Sequence, residues 1–335
     1  MKKTTKITLS NIVSRALNAQ KQFDQFGFPF TLNPTVGCSF ACKFCYSPIF
    51  VAKIPSGKRK QFFENIRVKM EIPSLLDKEL TKLAHLPQHL KRVQINETSD
   101  YYLPIVVKAL EKQNRDIMRE ILEIFQKHDA AGNHWMLHIL TKSNLILNHL
   151  DILTEMKHMV QIEISFTTPD DNLRKQLEFF TIPTGERLKV VSALSKSGLF
   201  VRIMAMPFCG NESDMQLLKD TAFNSGAQAF KNKALNYYDW EQLQALSYDD
   251  LVNDKIERVS GRPDSKDLTL MIKSGETINP EQTIKVLMPL QKQGKAKLMD
   301  WSAVSKTDER LVISDRAIID CGYSSISSIN WGYIQ

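Results

Sequence analysis

Three cysteines, Cys38, Cys42 and Cys45, stand in the order C-x3-C-x2-C and are followed at once by Tyr46. Thiolates at this spacing can each take one iron of a cuboidal iron-sulfur cluster and leave the fourth iron open to a further ligand. An open iron is a reactive position. Other uses of cysteine fit less well. Structural zinc takes four closed ligands, and all seven histidines fall between His85 and His158, away from the cysteine run. An electron-transfer cluster uses four cysteines, and the remaining two, Cys209 and Cys321, are distant in sequence, although distant residues can meet in a fold. Five cysteines in 335 residues, with no apolar leader, describe a reduced, cytoplasmic protein rather than a disulfide framework.

A loop with such chemistry needs rigid elements beneath it. Strand-like and helix-like segments alternate along the chain in the manner of a βα-repeat barrel. Residues 28–33 read as a first strand delivering the cysteine loop, 67–71 as a short extended piece, 74–85 as a helix and 92–96 as the next strand. Pro104 opens an amphipathic pattern that predicts one long helix to about residue 128. The runs 135–140, 160–165 and 200–206 are apolar enough for buried strands, each followed by a helical stretch.

In such barrels chemistry sits at the carboxyl ends of the strands. There the sequence places the cysteine loop, then 96–100, then Thr141-Lys142-Ser143, then 165–168, and last Met206-Pro207-Phe208-Cys209-Gly210. Each polar residue also has an ordinary role: Asp100 and Ser143 as helix caps, Lys142 as a solvated cation, Ser165 and Thr167 as turn residues. Cys209 is a candidate hydrogen-atom donor to a substrate radical, because an S–H bond is weaker than most C–H bonds. Its competing role is that of a buried thiol acting as a small hydrophobe. Cys321 has nothing to place it near the barrel.

The 43% hydrophobic content is that of an ordinary globular core, and no run of about 18 apolar residues is present to span a membrane. A net charge of +7 favours an acidic partner such as nucleic acid. Residues 1–27 are Lys-rich with no acid before Asp24 and read as a basic arm, 28–231 as the barrel and 232–335 as an appended α+β region. Within the last, 241–259 and 280–293 read as helices, 261–264 as a loop, and 296–302 with 310–314 as a strand pair. Helix followed by hairpin describes a cap on the barrel, and it is also the arrangement of a winged helix.

The run from Asn33-Pro34-Thr35-Val36-Gly37-Cys38 through Cys42-Lys43-Phe44-Cys45-Tyr46 resembles the cysteine block of the spore photoproduct lyase-like radical S-adenosylmethionine (SAM) proteins. The resemblance continues in order through Val68-Lys69, Ser99-Asp100-x-Tyr102-x-Pro104, Arg119-x-Ile121-Leu122, Leu140-Thr141-Lys142-Ser143, Ser165-Phe166-Thr167-Thr168, Leu177-Glu178, Glu186-Arg187-Leu188 and Gly198. It covers residues 28 to about 230. Thr35 replaces the family's usual Tyr, Tyr101 and Leu103 interrupt a conserved segment, and Phe179 stands where Pro is usual. The position from which spore photoproduct lyase returns a hydrogen atom through a cysteine is not clearly reproduced.

The resemblance implies an α/β fold, a partial (β/α)6 radical SAM barrel with a C-terminal α+β extension. It implies a [4Fe-4S] cluster on Cys38, Cys42 and Cys45, with SAM chelating the open iron. Tyr46 would then lie near the adenine, Lys142 near the SAM carboxylate, Ser165 against SAM from the fourth strand, and Glu97 or Thr98 near the methionine amino group. The expected activity is reductive cleavage of SAM to a 5'-deoxyadenosyl radical that abstracts hydrogen from a substrate. Nucleic acid is the first expectation for that substrate, in a lyase-like repair or base modification, with an external electron donor such as flavodoxin or ferredoxin. The alternatives are radical modification of a peptide or small metabolite, and a zinc-dependent nucleic-acid-binding module without catalysis.

Overall fold

The computed structural model describes residues 5–11, 13–19, 29–50, 59–86, 91–232, 240–253 and 255. In chain order the elements are β1 (Lys6–Ser10), β2 (Asn18–Ala19), β3 (Phe30–Leu32), β4 (Thr35–Val36), α1 (Ser47–Phe50), α2 (Arg59–Glu64), β5 (Asn65–Lys69), α3 (Ile72–Lys82) and β6 (Arg92–Ile95). There follow α4 (Pro104–Glu111), α5 (Ile117–Ala130), β7 (Met136–Thr141), a 3-10 helix (Asn144–His149), α6 (Leu150–Glu155), β8 (Val160–Phe166), α7 (Asp171–Leu177) and α8 (Thr184–Lys196). The described chain closes with β9 (Phe200–Ala205), α9 (Glu212–Asn224), β10 (Ala229–Asn232), α10 (Trp240–Ala245) and α11 (Tyr248–Val252).

The fold is α/β, built on a seven-stranded sheet in the order β10-β9-β8-β7-β6-β3-β2. Every pairing in it is parallel except β2 with β3. Near-continuous apolar runs suit strands covered on both sides, and β8 is buried along its whole length. Alternation sorts its side chains: Ile162 and Ile164 take one face, Gln161, Glu163 and Ser165 the other. On that polar face Arg202 of β9 pairs with its register partner Glu163 at 2.6 Å, and Gln94 of β6 reaches within 3.5 Å of Glu163 over the intervening β7. A pair this buried recovers its desolvation cost only by close geometry and added hydrogen bonds.

The opposite side is packed by helices. Ile117, Ile121, Leu122 and Phe125 of α5 are fully buried, with Phe125 against Trp135 at 6.3 Å between ring centroids. Burying each such side chain contributes about 1.5–3 kcal/mol. A smaller sheet, β1-β5-β4, stands beside the main one, and β1 runs parallel to β5 from Lys6↔Asn65 to Ser10↔Lys69. Residues 6–10, read from composition as part of a basic arm, are thus a paired strand.

Two expectations require correction. The helix expected from 104 to 128 is two helices, because Asn114 takes a left-handed φ of 49° and ends α4, after which Asp116 caps α5 by accepting from the Arg119 amide. The start of the expected 241–259 helix is likewise split into α10 and α11 by Ser247, whose side chain forms a capping box with Asp250. The loop at 261–264, the helix at 280–293, the strand pair at 296–302 and 310–314, and Cys321 lie outside the described residues.

Candidate functional site

The cysteine loop begins with a forced turn. Gly37 has φ +90°, and a Cβ there would stand 2.7 Å from the Phe62 carbonyl and 2.8 Å from that of Asn65. Glycine alone permits that approach. The Cys38 amide then donates to Phe62 O at 3.0 Å, fixing the loop on the end of α2. On its other side the loop is clamped by the segment after α7: Lys43 N donates to Leu177 O at 2.9 Å, Phe180 N to Phe40 O at 3.2 Å, and Cys42 forms an antiparallel bridge with Glu178.

Cys42 is buried, Cys38 and Cys45 partly so. Burial, with the charge of Asp100, pushes the Cys38 thiol up to about 12. Burial pushes Cys42 well above the usual thiol range, the Glu178 charge adding to it, and also raises Cys45. Cys38 feels the charge of Cys45, and Cys42 that of both other cysteines, so the three share one small region. Among the described residues no three Cys, His, Asp or Glu side chains converge on a point that one metal ion could fill. A mononuclear zinc site needs such convergence. A cuboidal cluster does not, because each cysteine takes a different iron, and its irons would hold as thiolates groups that burial otherwise keeps protonated. Three thiols at this spacing are a donor set that a cuboidal cluster takes.

Asp100 links this loop to the sheet. Its amide hydrogen-bonds the Cys38 thiol, while its carboxylate accepts from Thr141 Oγ1 at 2.8 Å, from the Lys142 amide at 2.9 Å and from the Tyr102 amide at 2.9 Å. Burial raises the Asp100 carboxyl against those donors. The helix-cap role considered for Asp100 is not the one it takes, since the residue capping α4 is Leu103, with no side-chain cap bond; Ser143 does cap the following 3-10 helix.

Lys142 is no solvated cation. Its Nζ donates to Ser165 Oγ at 2.6 Å and to Glu178 Oε1 at 2.9 Å, and lies 5.6 Å from the centroid of Phe44 in the cysteine loop. Glu178, with no exposed surface, also accepts from Thr167, Arg187 and Thr181. Burial alone would raise its carboxyl, but the charges of Arg187 and Lys142 hold it well below the usual carboxylate range. Cys209 is fully buried, its amide donating to Thr167 O at 2.7 Å. Burial and the charge of Glu178 push its thiol well above the usual range, so it stays protonated.

Tyr46 and Glu97 meet at the other strand end, the phenol donating to Glu97 Oε1 at 2.8 Å and Glu97 O at 3.0 Å. Burial raises the Glu97 carboxyl despite that hydrogen bond. The Thr98 amide donates to Asn33 Oδ1 at 2.9 Å, which holds the turn after β6 against the start of the cysteine loop. Asn96, 4% exposed and at φ 66°, leaves both its side-chain polar atoms without a partner. Buried amides are normally satisfied, so this one is available to a ligand or a water.

The structure therefore brings Lys142, Ser165 and Cys209 around Glu178, adjoins Cys38 to them through Asp100 and Cys42 through Glu178 itself, and pairs Tyr46 with Glu97. Sequence reasoning gave no site role to Glu178 or Arg187, and placed Asn96 and Asp100 on the strand-end rim without a task of their own. The signal for Asp100 was its place after β6; Glu178 and Arg187 had none beyond their place in the family series, because their partners come from four other segments.

Comparison with known proteins gives one family model that matches more than half of the chain. The model of the family described as "Radical SAM superfamily" matches residues 32–221. An uncharacterized protein of Methanocaldococcus jannaschii is 25% identical over 174 residues, 52% of this chain and 58% of its own length. An uncharacterized protein of Acidianus two-tailed virus is 27% identical over 177 residues, covering 52% of this chain and 54% of the viral one. The chain thus spans little more than half the length of either relative. Among solved structures, a mutant of spore photoproduct lyase superposes with a TM-score of 0.53 at 12% identity, covering 76% of this chain and 68% of that one, which is likeness of fold.

Proposed function

The chain belongs to the radical SAM superfamily, and from that membership we propose that it is an enzyme of SAM-derived radical chemistry whose parallel sheet is a partial (β/α)6 barrel with its polar face inward. Cys38, Cys42 and Cys45 would hold a [4Fe-4S] cluster, which when bound would pass one electron to SAM and so supply its reductive cleavage to methionine and a 5'-deoxyadenosyl radical. The observation that carries this reading is the position of Lys142, whose ammonium is fixed between Ser165 and Glu178 beside the loop of Cys42.

Each residue then has a task. Lys142 and Ser165 receive the SAM carboxylate by charge-assisted hydrogen bonding. Glu97 takes the methionine ammonium, with Tyr46 fixing its carboxylate and presenting its ring to the adenine; Thr98 lies in the same turn. Cys209 keeps its proton and serves as hydrogen-atom donor to the substrate radical. The electron comes from an external protein of the flavodoxin or ferredoxin class. The substrate is a nucleic acid, in a lyase-like repair or base modification, a reading supported by the +7 charge and by the fold shared with spore photoproduct lyase.

Anaerobic reconstitution tests this. Iron and sulfide should load, and reduction with SAM should yield 5'-deoxyadenosine in amounts raised by added DNA or RNA. Cys209→Ala should still cleave SAM but lose or divert the substrate product. Bound zinc with neither cluster nor SAM binding would sink the enzyme reading, and stimulation by peptides in place of nucleic acid would replace the substrate class.

A further inference from the structure

We propose that Glu178 is a positioning residue that couples the cluster loop to the lysine receiving SAM, an inference that rests on the functional reading above. One residue reaches both. Its main chain pairs with Cys42, a cluster ligand, while its side chain holds Lys142. The flanking pairings, Lys43 N to Leu177 O and Phe180 N to Phe40 O, make this a short continuous strand contact rather than a single touch.

The side chain itself is fixed on every side. Oε1 accepts from Lys142 and Thr167; Oε2 accepts from Arg187 and, at 2.9 Å, from Thr181. Arg187 is in turn held by Ser165 O at 2.8 Å, and Arg174 donates to Thr181 O at 3.0 Å, so the carboxylate has no freedom to follow a moving lysine. Its oxygens are saturated and its burial excludes water, so it has no capacity left for a ligand of its own. Its function is exerted on Lys142.

The donor count on Lys142 shows how. An ammonium has three N–H groups; Ser165 and Glu178 use two, and one is left for a ligand. With two contacts fixed, the direction of the third is fixed too. Charge points the same way. Lys142 and Arg187 are two cations against the one carboxylate of Glu178, so the trio keeps one positive charge in a nearly dry place. That excess suits a carboxylate such as the one SAM carries. The same tie sets Lys142 relative to the cluster loop: because Glu178 is held rigidly, the lysine it anchors is kept in register with the strand contact at Cys42.

The test uses the full chain, reconstituted anaerobically. Glu178→Asp keeps the charge and the backbone pairing but withdraws the carboxylate by one methylene. With iron content equal to wild type, SAM should bind at least tenfold more weakly at equilibrium, and the change that SAM causes in the EPR spectrum of the reduced cluster should shrink. In a Lys142→Met background Glu178→Asp should weaken SAM binding no further, because the lysine through which it acts is gone. A lowered melting temperature with SAM affinity within twofold of wild type would show a merely structural residue and overturn the proposal. If Glu178→Asp fails to load iron, Thr167→Val decides: it removes a donor to the oxygen Lys142 uses and leaves Glu178 in place. Weakened SAM binding there supports the proposal, unchanged binding refutes it. A wild-type protein that loads iron yet binds no SAM overturns the functional reading and this inference with it, whereas normal wild-type binding beside an indifferent Glu178→Asp overturns the inference alone.

Discussion

At Gly37 the backbone runs with φ +90° between the carbonyls of Phe62 and Asn65. Gly37→Ala should therefore destabilise the chain by about 3 kcal/mol, combining left-handed strain with a clash against main chain that cannot yield cheaply. Thermal melting checks the first effect, and a reduced iron load on reconstitution would show that the cysteine loop has been displaced. Asp116 offers a pH-dependent test. Burial would raise its carboxyl, but the hydrogen bond and charge of His149, with the Arg119 amide and Tyr101, bring it down to about 2. An unfolded aspartate titrates near 3.9, roughly. A depressed carboxylate contributes stability that is present above the unfolded value and is lost as pH falls toward the folded one. Asp116→Asn should thus flatten the decline of Tm between about pH 4 and pH 2, measured by calorimetry; an unchanged slope would remove Asp116 from the acid transition.

Lys43 acts between elements. Although it sits between Cys42 and Cys45, its Nζ is turned away to cap α10, donating to Leu243 O at 2.8 Å and Gln244 O at 3.2 Å, and it lies 5.4 Å from the Phe179 ring centroid. Behind it Phe179 and Phe180 pack edge-on against Tyr248 of α11, whose phenol donates to Glu64 at the end of α2. Lys43→Met keeps the apolar stem but leaves two carbonyls unsatisfied, which costs about 1–3 kcal/mol. Faster amide exchange across 240–252 with iron content unchanged is the expected result; exchange as in wild type would mean that the aromatic contacts alone hold these helices. The elements themselves were unequally legible. The runs that became β7, β8 and β9 were readable because they are short and mostly apolar, although His138, Glu163 and Arg202 interrupt them. The break at Asn114 was not, because the apolar spacing continues across it and only the backbone conformation reveals the turn. Glu178 was readable only as one letter of a family series: its donors Lys142, Thr167, Thr181 and Arg187 converge only in three dimensions.

Taken whole, the chain carries a net charge of +7. If its substrate is a nucleic acid, binding should weaken steeply with salt, with log K falling by about 3 or more per tenfold rise in salt as counterions are released. Fluorescence anisotropy with labelled DNA and RNA measures this, and a slope near zero would remove polyanions as the substrate class. No helix among the described residues is long and apolar enough to cross a membrane. The cysteines were legible as a candidate ligand set because their spacing is local, whereas the surroundings that select a substrate are assembled from many segments and left no single signal. A last consequence concerns β1. Because it covers the free side of β5, opposite β4, a chain begun after Ser10 would lay open a row of unpaired amides and carbonyls on β5. Such an edge is a template for strand addition, so trimming the amino terminus should promote aggregation, which light scattering would detect.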